Sequence, residues 1–200
     1  TLVLLDGEAV QGDGVFQLTK TANGVRAEKT LTNGLTIVKD FQLSSNYLVM
    51  ATVRLENRSA QPLALPAQEW FVGTAAPLGP RDKGEAVGVL WYNGAKTEDL
   101  GGSSYFSGGC RQPVPPLEYR GGASNVVWVA AHNQFFVLAA MPQQPAQGLI
   151  IHRINLPRPT GEAAQLVATN APTPQGYAAA MTYPALNLAP NQIFERQIAL

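Results

Sequence analysis

NVVWVAAHNQFFVLAAMP, residues 125–142, is the longest apolar run in the chain. A continuous apolar run does not disclose its own period, so its length suits two buried strands or one helix. The β-branched and aromatic members (Val126, Val127, Trp128, Val129, Phe135, Phe136 and Val137) favour strand, and Pro142 ends it. A membrane span needs about 20 predominantly apolar residues, and His132, Asn133 and Gln134 stand where hydrocarbon would be. The stretch therefore predicts a core strand pair of a soluble domain. Trp128, Phe135 and Phe136 are its expected core anchors, and Gln134 is expected to satisfy neighbouring backbone groups.

Two hundred residues fit one domain, which at this size buries roughly 70% of the surface its unfolded chain exposes. Hydrophobic content of 46% is ordinary, whereas 14% charged is low. Fourteen basic side chains offset fourteen acidic ones. A nucleic-acid binder would show a clustered basic excess, and a chain held on anionic lipid by charge would show a polybasic run; the sequence has neither. The single cysteine, Cys110, excludes an internal disulfide and a cysteine-based zinc cluster. In SGGCRQP it reads as a small loop residue rather than a catalytic thiol. Neither a signal peptide nor a hydrophobic span is visible, and the abrupt strand-like opening TLVLL suggests a piece of a longer protein.

Asn23-Gly24, Asn33-Gly34 and Asn93-Gly94 each suit the two positive-φ positions of a type I′ turn and predict hairpin tips. Asp6-Gly7 and Asp13-Gly14 are weaker signals of the same sort. Around Asn33-Gly34, residues 25–31 run up and 35–43 run back. In the next strand, 47–57, Tyr47, Val49, Ala51, Val53 and Leu55 share one face while Thr52, Arg54 and Glu56 share the other. Leu48 and Met50 lie on that second face, so the strand is expected to be covered on both sides near its start. Asn57-Arg58-Ser59 matches a glycosylation sequon but reads as turn chemistry leading into 62–72. Residues 74–85 read as a loop and 86–92 as a strand. The Gly-, Ser- and Pro-rich stretch 95–122 is expected to hold little regular structure. Strands are expected at 148–156, 164–168, 177–183 and 194–200. Short strands parted by turn signals, with no capped 3.6-residue stripe, predict an all-β antiparallel sandwich or barrel with at most a short helix.

Phosphate loops, paired metal-spaced histidines and a serine nucleophile elbow are all missing from the sequence. His132 and His152 fall on strands expected to be neighbours, where they could converge with a carboxylate such as Glu69 or Glu118 into an acid–base pair. A lone histidine in an apolar strand is more often a hydrogen-bonded core or edge residue. Tyr105, Phe106 and Tyr119 have two readings: they line a groove for peptide or lipid, or they lid the open end of the sandwich.

GLTIVKDFQLSSNYLV (34–49) followed by VRLENRSAQPL (53–63) resembles the periplasmic domain of YidC-type membrane protein insertases. That family has a G-x-T-x-x-K-x-F-x-L strand, a Y-x-V strand and an N-x-x-x-x-P-L turn. WVAAHNQFF (128–136), ending in Met141-Pro142, is similar to the family's W-V-x-x-x-x-Q-Y-F run to a proline. LAPNQ (188–192) resembles its L-x-P-G-x turn, with Asn191 at the glycine position, and asparagine tolerates the left-handed backbone wanted there. The resemblance covers 34–200 and reaches 1–33 only loosely. The family's N-terminal membrane helix and following insertase helices have no counterpart in these residues.

The resemblance implies a single periplasmic β-supersandwich over 1–200, N-terminally truncated and related in shape to galactose-mutarotase-like folds. It would stand at the periplasmic face of the bacterial inner membrane, in a multi-pass parent that inserts and folds inner-membrane proteins alone or with the Sec translocon. Insertion chemistry in that family belongs to the membrane helices. The resemblance thus implies a non-enzymatic accessory domain with no catalytic residue, cofactor or metal. Its expected partners are Sec translocon subunits and nascent inner-membrane proteins, met through an edge strand or through 95–122, with no nucleic acid. The rivals are a carbohydrate-binding or epimerase-like sandwich using His132 or His152, and a surface adhesion module.

Overall fold

The computed structural model describes residues 2–5, 15–44, 48–79, 82, 84–101, 105–107, 114–167 and 170–200. Its strands in chain order begin with β1 (Leu2–Leu5), β2 (Gln17–Thr21), β3 (Gly24–Thr30), β4 (Leu35–Leu43) and β5 (Val49–Asn57). There follow β6 (Leu63–Leu65), β7 (Gln68–Ala75), β8 (Gly88–Tyr92), β9 (Thr97–Gly101) and β10 (Glu118–Gly121). The chain closes with β11 (Trp128–His132), β12 (Val137–Pro142), β13 (Gly148–Asn155), β14 (Gln175–Tyr183), β15 (Leu186–Leu188) and β16 (Ile193–Ala199). Among the described residues the helical elements are three 3-10 turns, at Gly84–Ala86, Tyr105–Ser107 and Gly161–Leu166.

The strands form an antiparallel sandwich, as the turn spacing predicts. One sheet has nine strands in the order β2-β3-β4-β5-β16-β12-β11-β8-β9; the other has five, β1-β7-β14-β13-β10; β6 and β15 pair separately. The C-terminal strand β16 joins the two halves of the long sheet. It pairs with β5 along its whole length but with β12 only at Met141–Ala199 and Pro142–Ile198. The proline therefore sits at a short seam, where a missing N–H costs little ladder.

Alternation on β5 puts Ala51, Val53 and Leu55 inside, and register places Ile37, Lys39 and Phe41 of β4 on the same face. Against them pack Trp70 of β7, Tyr177, Met181 and Tyr183 of β14, and Leu149 and Ile151 of β13. Trp70 meets Tyr183 edge-on, with ring centroids 5.6 Å apart. Each such side chain contributes roughly 2–3 kcal/mol by leaving water. The outer face of β3–β4–β5–β16 carries a ladder of opposite charges instead. Asp40 accepts from Arg26 at 2.7 Å and from Arg54 at 2.8 Å, and Arg58 bridges Glu28 and Glu56. The hydrogen bond from Arg26 leads the causes that hold the Asp40 carboxyl below its usual range.

The second half of the motif-bearing stretch 34–63 is tied to the 188–192 turn by one side chain. Asn57 is 1% exposed; its Nδ2 donates to the carbonyls of Gln61, Leu188 and Ala189 at 2.8–3.1 Å. Its Oδ1 accepts from the Ser59 amide and hydroxyl at 2.9 and 2.7 Å. The sequon asparagine is thus consumed by turn chemistry, as expected. Asn191 takes φ 61°, the left-handed backbone anticipated for it, and its amide donates to the Asn57 carbonyl at 2.9 Å.

Several expectations are corrected. None of the three Asn-Gly asparagines is left-handed; only Gly34 (φ 85°) and Gly94 (φ 87°) are, so the tips are not type I′. Asn33 and Asn93 instead use Oδ1 to accept backbone amides across their turns. Gly24 is required by close approach, since a Cβ there would meet the Phe41 carbonyl oxygen at 1.8 Å. The 95–122 stretch contains two strands, β9 and β10, and 161–166 forms a 3-10 turn where a strand was expected. β7 runs on through Ala75, into the expected loop. Cys110, Tyr47 and the Asp6-Gly7 and Asp13-Gly14 pairs lie outside the described residues.

The 125–142 stretch does form an antiparallel pair, β11 with β12, but its aromatic residues are not core anchors. Register sets His132 opposite Val137, leaving 133–136 as the hairpin tip. Phe135 and Phe136 are there 62% and 67% exposed. Trp128 is half-buried on the outer face, stacked on Tyr92 at 6.1 Å, while its neighbour Val129 faces the core. Gln134 is exposed. The backbone-satisfying role falls to Asn133, whose Oδ1 accepts from the amides of Phe135 and Phe136 and whose Nδ2 donates to the Ala76 carbonyl.

Candidate functional site

β9 ends the long sheet and β10 ends the short one, and the contact of Tyr119 with Glu98 sets both edges on the same side of the sandwich. The 3-10 turn Tyr105–Ser107 lies across that opening. Phe106 is 3% exposed and stacks on Tyr177 of β14 at 5.0 Å. Tyr105 meets both Phe106 and Tyr119 of β10 edge-on, each at 5.0 Å. The structure therefore brings Tyr105, Phe106 and Tyr119 together as a continuous aromatic stack. Its inner end is sealed in the core, and its middle ring, Tyr105, is 38% exposed.

Polar groups fasten the stack at both edges. The Tyr119 hydroxyl donates to Glu98 Oε2 of β9 at 3.3 Å, and the Tyr105 hydroxyl donates to the Glu118 carbonyl at 3.4 Å. Burial, then the Glu98 charge, pushes the Tyr119 phenol up from its usual value; burial does the same at Tyr177. Tyr119 thus stays a neutral donor at physiological pH, bridging the two sheets at this side. On the outward face of β10, Glu118 pairs with Arg120 along the strand. It also pairs with His152 of β13, whose Nδ1 lies 3.5 Å from Glu118 Oε2.

The two histidines do not converge. His152 is in the five-stranded sheet, but His132 is in the nine-stranded sheet, on strands that are not neighbours. The His132 Nε2 is buried, 3.9 Å from Asp99 Oδ1, beside Gly88. Of the carboxylates considered for an acid–base pair, Glu118 reaches His152, while Glu69 faces out from β7 opposite Thr182. Among the described residues no group of three His, Cys, Asp or Glu is placed to hold a metal ion.

Sequence reasoning did not single out Arg196. It projects inward from β16, with its guanidinium carbon 3.6 Å from the Tyr183 ring centroid and 5.4 Å from that of Trp70. Burial lowers its pKa from the usual arginine value. Lys39, also inward-facing, sits 4.4 Å over the Phe16 ring and is lowered by burial to about 8. Period-two counting places both inside, and the charge alone hides it.

No helix of the described residues is long and apolar enough to cross a membrane. A search of curated proteins returns no match. Among solved structures the chain is similar to a polysaccharide lyase at 10% identity and a TM-score of 0.44. That similarity covers 87% of this chain and 20% of the lyase. Residues 7–199 match the family described as the YidC periplasmic domain. With nearly its whole length matched, the chain belongs to the YidC periplasmic domain family, a domain on the periplasmic side of a membrane protein.

Proposed function

We propose that this domain is a non-catalytic accessory of a membrane protein insertase at the inner membrane, aiding insertion and folding through contacts with Sec translocon subunits or nascent inner-membrane proteins. The observation that carries the reading is the family match over 7–199. The β9–β10 side is the contact surface this reading favours. Two sheet edges, β9 and β10, end there. The partly exposed Tyr105 reaches the backbone of Glu118, whose side chain pairs with Arg120, and tyrosine and arginine are enriched where protein interfaces carry their binding energy.

Binding of the purified chain to purified translocon subunits tests this, alongside refolding yield of an inner-membrane substrate. Saturable binding weakened by Tyr105→Ala with Arg120→Ala is expected. Absence of binding together with an unchanged substrate yield would refute the proposal.

A carbohydrate-directed acid–base activity rests on one observation, the 3.5 Å approach of His152 to Glu118. A mutarotation assay, and sugar titration followed by tryptophan fluorescence, separate it from the accessory role, which predicts neither turnover nor a spectral change.

A further inference from the structure

We infer that the β11–β12 hairpin tip is a membrane-docking prong that dips its apolar side chains into the interfacial region of a lipid bilayer. Four consecutive residues at the tip, Phe135, Phe136, Val137 and Leu138, are 62%, 67%, 65% and 46% exposed. Successive strand residues point to opposite faces, so exposure of both Val137 and Leu138 means that the ribbon is open on both sides there. Leu138 still rests against Gly73 of β7, where an added Cβ would lie 3.1 Å from its Cδ2. The rings of Phe135 and Phe136 stand beyond that support.

The tip is held in this shape. Asn133 accepts the amides of both phenylalanines at 2.9 Å and is itself anchored to the Ala76 carbonyl at 3.1 Å. The Asn133 amide also donates to the Phe136 carbonyl at 2.9 Å. Two large rings are thereby fixed outward instead of folding back on the sheet. Scattered exposed apolar residues are ordinary, but a run of four on a braced turn is not.

Charge argues for lipid as the occupant. Residues 121–151 contain no Asp, Glu, Lys or Arg, so the prong enters a low-dielectric layer without desolvating an ion on its own strands. Further along the hairpin, the stacked Trp128–Tyr92 pair offers the amphipathic rings that suit headgroup depth. A partner polypeptide is bound in a groove or along a sheet edge. This surface is instead a convex tip, which suits a soft, deformable layer. Membership of a domain family on the periplasmic side of a membrane protein places a bilayer within reach. Docking by four side chains is modest but measurable at millimolar lipid, and it is reinforced in a domain already held near the surface. The prong is separate from the β9–β10 contact surface, and protein-free vesicles test it without any translocon subunit.

Flotation of the 200-residue chain with vesicles of three parts phosphatidylethanolamine to one part phosphatidylglycerol is the experiment. Flotation that persists at 0.5 M salt is expected. Phe135→Ser and Phe136→Ser should each lower the partition coefficient about tenfold while leaving the thermal midpoint unchanged. A Phe136→Trp variant should be quenched by lipids brominated high on the acyl chain. Failure of the wild-type chain to float, or equal flotation of the double serine variant, overturns the inference. So does binding of a soluble synthetic transmembrane peptide at the tip without vesicle binding.

Discussion

Replacing Asn57 tests whether one buried side chain locks the 34–63 and 188–192 stretches together. Asn57→Ala removes three donated and two accepted hydrogen bonds at a site 1% exposed. Each intramolecular hydrogen bond is worth about 1 kcal/mol net, and each buried carbonyl left without a donor costs about 1–3 kcal/mol. The Leu188 and Ala189 carbonyls share one donor direction, so the loss sums to about 3–5 kcal/mol. Against a typical stability of about 5–15 kcal/mol that is severe, and at about 2–4 °C per kcal/mol it lowers Tm by about 6–20 °C. Asn57→Asp keeps the shape but turns carboxylate oxygens on three carbonyls, so it should cost at least as much. Ser59→Ala removes the hydroxyl that donates to Asn57 Oδ1 and keeps the three carbonyl contacts of Asn57 Nδ2, so about 1 kcal/mol is expected. Equilibrium urea unfolding of the three variants measures this. A loss below 1 kcal/mol for Asn57→Ala, or one equal to that of Ser59→Ala, would show that Asn57 does not join the two stretches.

Phe135→Ser and Phe136→Ser should each change unfolding free energy by less than about 0.5 kcal/mol, whereas Trp70→Ala should cost about 3–5 kcal/mol; urea titration reads both. Phe106→Ala should cost about 3 kcal/mol and speed amide exchange at Tyr105–Ser107, because the ring is the inner end of the aromatic stack. Lys39 makes stability depend on pH. Burial lowers its ammonium from 10.5 to about 8, so between those values the unfolded chain binds more protons and stability rises with pH. The gain, about 1–3 kcal/mol in all, should be seen between about pH 8 and 9.5. Above about pH 10 the raised phenols of Tyr119, Tyr177 and Tyr183 ionise more readily in the unfolded chain and reverse the trend. Lys39→Met should flatten the rise; an unchanged slope would show that Lys39 is not its source.

Buried strands are readable: β5, buried on one face, leaves a period-two mark, and β4, β13 and β14, buried on both faces over part of their length, leave apolar runs. The edges were not readable. Thr97–Gly101 and Glu118–Gly121 hold Glu98, Asp99, Glu118 and Arg120 because an edge strand has one free side, and that polarity reads as loop. The 125–142 run misled differently. Its apolar content predicted burial of Phe135 and Phe136, yet the Asn133 turn carries the rings out of the sandwich. The bracing asparagine was visible, but nothing local shows where the opposing sheet ends. Non-local pairing, such as β16 between β5 and β12 or the separation of His132 from His152, leaves no local trace at all. The aromatic stack is legible in part: Tyr105, Phe106 and Tyr119 lie in one Gly-rich stretch, but Tyr177, which receives Phe106, lies far along the chain.

Site-specific photo-crosslinking in the full-length membrane protein, scanned around the sandwich, probes the proposed accessory role most directly. A photoreactive residue at Tyr105 or Arg120, on the β9–β10 side, should yield adducts with Sec translocon subunits or nascent inner-membrane chains. The same residue at Gln17, on the opposite edge strand β2, should yield few. Adducts confined to β2, or none from either edge while insertion proceeds normally, would contradict a partner-docking role for this side of the domain.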